Sequence, residues 1–96
     1  MVLEQRERAF VAADFEAARL GLETALAQLE RARARDANDR EALRLARRGF
    51  TLGETQFVVV LLTLTRAVES DLALARADVG VKLARARYNQ AAGVLP

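Results

Sequence analysis

Along the first half of the chain, apolar residues return at alternating spacings of four and three. The slots are Val11, Phe15, Ala18, Leu22, Ala25, Leu29, Ala32, Asp36, Asp39, Leu43, Ala46 and Phe50. Ten of the twelve are apolar, and a large residue tends to alternate with an alanine. This is the heptad of a left-handed coiled coil, and the large–small alternation lets two helices approach closely. The pattern predicts a helix over about 3–48. In the second half the strongest stripe is Phe57, Leu61, Leu64, Val68, Leu72, Ala75, Val79, Leu83 and Ala86. From Leu61 to Leu83 it follows an eleven-residue repeat, which favours a straight or right-handed path. It predicts a second helix over about 56–92, with Leu62, Ala67 and Leu74 forming a lesser packed face.

Two unlike repeats cannot both follow one ideal supercoil. The mismatch therefore predicts an assembly in which each helix has more than one neighbour. Helix breakers are nearly absent from both segments: Gly21 alone in the first and Gly80 alone in the second. Between them lies Gly49-Phe50-Thr51-Leu52-Gly53-Glu54-Thr55, a seven-residue tip at 49–55. Gly53 suits a sharp reversal there, and the hydroxyl of Thr51 or Thr55 is expected to cap the second helix. Glu54 would then sit near the positive end of that helix. Ala91-Ala92-Gly93, with Pro96 beyond, reads as the stop, with Gly93 in the left-handed capping conformation. The expected fold is all-α, one long antiparallel two-helix coiled-coil hairpin spanning 1–96, associating into a larger helical bundle or barrel.

Size sharpens that expectation. Two helices of about 40 residues make a rod on the order of 60 Å long, which buries only a stripe on each helix. With 96 residues the isolated chain is expected to be marginal as a monomer, so self-association is anticipated. Asp36 and Asp39 interrupt the first seam within an arginine-rich stretch. They read as a solvated length of helix, the alternative being acids that meet arginines from a neighbour.

Composition narrows the chemistry. There is no cysteine and no histidine, so thiolate chemistry and imidazole ligands are excluded, and nothing calls for a metal or cofactor. Fifteen basic residues against 13 acidic ones leave a net charge of +2, slight support for nucleic-acid binding. Arg31, Arg33 and Arg35 point to different sides of a helix. Arg40, Arg44, Arg47 and Arg48 cluster better, but acids interleave them and stacking aromatics are missing. Glu69 and Asp71 face different ways on a rod with little concavity, so no enzyme is expected. Phe57-Val58-Val59-Val60-Leu61-Leu62 is too short to span a bilayer, and the first eight residues hold no apolar core of secretory-signal length.

The tip and the second helix carry a resemblance. Gly49-Phe-Thr-Leu-Gly-Glu-Thr-Gln-Phe-Val-Val-Val-Leu-Leu, then a long Ala- and Arg-rich helix, then Ala86-Arg-Tyr-Asn-Gln-Ala-Ala-Gly, resembles the C-terminal part of the TolC-like outer-membrane efflux proteins. The likeness covers roughly residues 40 to 93. It implies a role in export: trimeric channels with an outer-membrane β-barrel and a periplasmic α-helical barrel, working with a periplasmic adaptor and an inner-membrane pump. This hairpin would lie in the periplasm as part of the parent channel, its turn docking the adaptor's hairpin. The docking positions implied are Leu52, Gly53 and Glu54, flanked by Thr51 and Thr55. Where some members constrict the pore with aspartates, the matching positions are Val59 and Leu62, so no acidic gate is implied. The chain as written carries neither barrel strands nor an export signal, and reads as the last hairpin of such a protein. The competing reading is a free-standing soluble coiled-coil scaffold or partner-binding protein, which the first heptad fits equally well.

Overall fold

The computed structural model describes residues 2–94 as two helices, α1 (Val2–Thr51) and α2 (Phe57–Val94), joined by a reversal at 52–56. They lie side by side as an antiparallel hairpin measuring 77 × 16 × 13 Å. The rod is longer than two 40-residue helices would give because α1 holds 50 residues against 38 in α2. Gly49, Phe50 and Thr51, expected in the tip, continue α1. At the other end α2 runs through Gly93 to Val94, and Gly93 does not take a positive φ. The cap expected there is therefore not formed, and Pro96 lies outside the described residues. Residues 2–10 of α1 are exposed throughout, Phe10 by 75%.

The α1 seam is the predicted one. Val11, Phe15, Ala18, Leu22, Ala25, Leu29, Ala32, Asp36, Asp39, Leu43 and Ala46 are all buried or half-buried. Only the last slot differs: Gly49 turns inward and Phe50 stays half exposed, its ring tilted against that of Phe57 with centroids 5.5 Å apart.

The second helix forms as expected, and Ala67 and Leu74 of its lesser face turn inward while Leu62 is exposed, but its main stripe is overturned. Every member of the stripe from Phe57 to Ala86 is exposed. The residues turned to α1 are Val60, Thr63, Ala67, Ser70, Leu74, Ala77, Val81, Ala84, Tyr88 and Ala91. Their spacings alternate three and four, so α2 carries a heptad in phase with that of α1. The two helices share one repeat and can follow one supercoil, which removes the mismatch expected from the sequence.

The inner row escapes notice because Ala, Ser and Thr hold six of its ten places, with Val60, Leu74, Val81 and Tyr88 spaced among them. Small side chains let the helix axes approach. The hydroxyls are satisfied within their own helix: Thr63 donates to the Val59 carbonyl at 2.9 Å, and Ser70 to that of Arg66 at 2.9 Å. Ser70 is wholly buried, yet leaves no donor unpaired. Three cross-helix contacts set the register: Phe15 on Tyr88 at 5.3 Å, Arg40 to Asp71 at 2.6 Å, and Phe50 on Phe57. Outward charges pair along single helices, as in Arg44 with Glu41 and Lys82 with Asp78. Exposed pairs of this kind add little stability.

Candidate docking surface at the tip and outer face

The reversal is a Schellman motif closing α1. Glu54 N–H donates to the Gly49 carbonyl at 2.7 Å, and Gly53 N–H to that of Phe50 at 3.0 Å. Gly53 takes φ +77°, the left-handed conformation that a Cβ disfavours. Thr55 N–H also reaches the Gly49 carbonyl, at 3.2 Å. Side chain packs on backbone at the same point. A Cβ on Gly49 would lie 3.0 Å from that of Thr55 and closer still to its hydroxyl. The chain doubles back here because Gly49 leaves room for Thr55 and Gly53 accepts the turn.

These contacts sort the five expected docking residues. Leu52, Gly53 and Glu54 form the exposed apex, with Leu52 61% open. Thr51 is the last residue of α1, and its hydroxyl donates to the Arg47 carbonyl at 3.0 Å. It therefore does not cap α2. Nor does Thr55, which is half-buried against Gly49 and supports the turn from within. Val59 and Leu62, three apart and thus on one side of α2, are both exposed.

Sequence reasoning found most of the side chains of the surface that opens from this tip but assigned their stripe to the main seam. From Phe57 to Leu64 seven of eight residues are apolar, yet only Val60 and the one exception, Thr63, turn toward α1. Phe57, Val58, Val59, Leu61, Leu62 and Leu64 remain exposed, and Val68, Leu72, Val79 and Leu83 carry the strip along the rod. A single charge, Arg66, falls between Thr55 and Val68. A helix apolar all round is expected to be buried, and monomers seldom leave so continuous an apolar surface open. The signal that its bulk faces outward is the run Phe57–Leu64 itself, whose apolar side chains are too many for one neighbour.

A shallow groove lies between the helices toward the opposite end. Ala17, Gly21, Thr24, Gly80 and Ala84 line it, with Arg87 beside them. Gly21 and Gly80 both face open space where a Cβ would be, so hairpin packing does not demand glycine at either position. Among the described residues no cluster of three acids or other ligating groups could hold a metal ion. Among them, too, no helix is long and apolar enough to cross a membrane. Comparison with protein-family models, with curated proteins and with solved structures finds no match to this chain.

Proposed function

We propose that this hairpin is an assembly and docking element: a periplasmic α-helical hairpin of an outer-membrane efflux channel, meeting an adaptor hairpin through its tip. The carrying observation is the exposed apolar collar at Phe57–Leu64 and the strip that continues it. α1 already satisfies the inner heptad, so these side chains serve further helices. Each half-exposed Leu, Val or Phe offers on the order of 1 kcal/mol on burial, enough together to drive association. The small-residue groove around Gly21 and Gly80 gives a neighbouring helix a place to approach closely. Large side chains on one surface and a hollow on another suit a head-to-tail contact, the kind that closes into rings. The resemblance of residues 40 to 93 to the TolC-like family supplies the class of assembly, and Leu52, Gly53 and Glu54 the docking apex.

A second reading, a free-standing soluble coiled-coil scaffold or partner-binding protein, is favoured by one finding. The two heptads match, so the hairpin closes its own seam without help.

Sedimentation of the purified chain, with and without isolated adaptor hairpins, separates the two. We expect self-association that Val68→Glu with Leu72→Glu disperses while helix content holds. We also expect adaptor-hairpin binding that Gly53→Val weakens. A stable assembly that binds no adaptor hairpin would support the scaffold instead. A monodisperse monomer at high concentration would refute both roles for the outer face.

A further inference from the structure

Midway along the seam, where the heptad calls for an apolar residue, stands Asp36, only 5% exposed. The sequence favoured a solvated stretch here, and the structure overturns that reading for Asp36. Its Oδ2 pairs with Arg40 Nε at 3.0 Å, while its buried Oδ1 has no partner. The same guanidinium reaches across to α2, donating from Nη2 to Asp71 Oδ1 at 2.6 Å. One cation is thus divided between two carboxylates, and a buried oxygen is left over. An unpaired buried oxygen is costly, and two charged carboxylates side by side are costlier.

A single proton resolves both problems. As a carboxylic acid, Asp36 donates its O–H to the Asp71 carboxylate, which keeps its bond from Arg40, and the trio becomes neutral. We propose that Asp36 and Asp71 form a one-proton site between the helices, holding the hairpin shut when occupied and loosening it at mid-length when the proton leaves.

The direction of titration agrees. The Asp71 carboxylate as acceptor for a proton on Asp36, then burial, raises Asp36 above its ordinary value, while donation from a protonated Asp36 and then from Arg40 lowers Asp71. Among the described residues, no other acid from either helix opposes the pair directly. On α1, Asp39 is held by Arg35 at 3.6 Å, and Arg33 lines the same groove as Arg40 and Asp71. On α2, Asp78 in that groove is taken by Lys82 at 3.1 Å, and the Ser70 hydroxyl is spent on the carbonyl of Arg66, the nearest cation on that helix toward the tip.

Asp36, raised in the folded state, contributes stability that is complete below the ordinary carboxylate value and lost as pH rises through its folded value. Asp71, lowered, contributes stability present above the ordinary value and lost as pH falls through its folded value. The pair therefore stabilises the hairpin most between the two folded values, where Asp36 holds its proton and Asp71 has lost its own, and loses the Asp36 share as pH rises further. This rests on the seam alone and is independent of any role for the tip.

Thermal melts of the full chain by circular dichroism, at one concentration and stepped from pH 4 to 8, test it. Wild type should lose about 4–8 °C on approaching neutrality, the scale of one lost interaction in a chain of this length. Asp36→Asn, whose amide donates to Asp71 at any pH, should flatten that slope and melt above wild type at pH 7.5. Asp71→Asn should also flatten it. A flat wild-type profile, or an unchanged slope in Asp36→Asn, would overturn the site. Carbon-13 carboxyl titration of wild type gives a reading that needs no variant: an Asp36 resonance titrating at or below the ordinary range would overturn it too.

Discussion

Gly49→Ala should destabilise the hairpin although Gly49 sits within a helix. In a helix interior, replacing glycine by alanine normally gains about 0.5–1 kcal/mol. Here the added methyl would stand 3.0 Å from Thr55 Cβ, with the Thr55 hydroxyl closer still. The Gly49 carbonyl accepts from both Glu54 and Thr55 N–H, so pushing Thr55 away also strains the bonds that close the turn. Overpacking of this kind costs about 1–3 kcal/mol, and with methyl and hydroxyl this close the upper half of that range applies, which leaves a net loss of about 1–2.5 kcal/mol after the helix gain is set against it. At about 4–8 °C per kcal/mol for a chain of this size, melting should shift clearly in circular dichroism. Gly49→Ala with Thr55→Gly should recover most of the loss, because the clash goes and the helix gain stays. Thr55→Ala should rescue only in part, since it removes the hydroxyl and keeps Cβ. A single variant as stable as wild type would refute the packing account of the reversal, as would a double variant no better than the single.

Ser70→Ala should be neutral within about 0.5 kcal/mol, because the lost hydroxyl bonded only carbonyls of its own helix, those of Arg66 and Ala67. Ser70→Leu should cost about 1–3 kcal/mol by forcing apart helices that meet at a wholly buried position. Paired chemical-denaturation curves would distinguish them. Phe15→Ala removes the ring that packs on Tyr88 near the open end, and should cost about 1–2 kcal/mol, since the ring is only half-buried. Its effect should be local: faster amide exchange around residues 11–18 and 84–91, with the tip unchanged. Uniform acceleration along the rod would argue that the hairpin opens as one unit.

Much of the fold is legible in the chain. Two breaker-poor segments flank a glycine-bearing turn, and the first heptad runs unbroken enough to place eleven of its twelve slots. Gly53 is readable as the reversal point, since few residues tolerate its backbone conformation. The turn's inner support is not: Thr55 opposite Gly49 depends on a contact six residues apart that no local pattern marks. The facing of α2 is the larger miss. Counting apolar bulk selects Phe57, Leu61 and their repeat, because large side chains dominate such a count. The true inner row of Val60, Thr63, Ala67 and Ser70 is chosen by how closely two backbones can approach, and by hydroxyls that satisfy themselves.

The amino-acid order alone therefore determines local matters: which segments are helical, where the chain can turn, and which chemistries it lacks. The tertiary structure decides which of two apolar faces on α2 is spent inside the hairpin and which is left over, and that Asp36 lies buried and shares Arg40 with Asp71. Helix periodicity is written residue by residue. The choice between two competent faces belongs to the pair of helices, because the face with Ala67, Ser70, Ala77, Ala84 and Ala91 lets the two backbones come close while Leu74, Val81 and Tyr88 fill the seam.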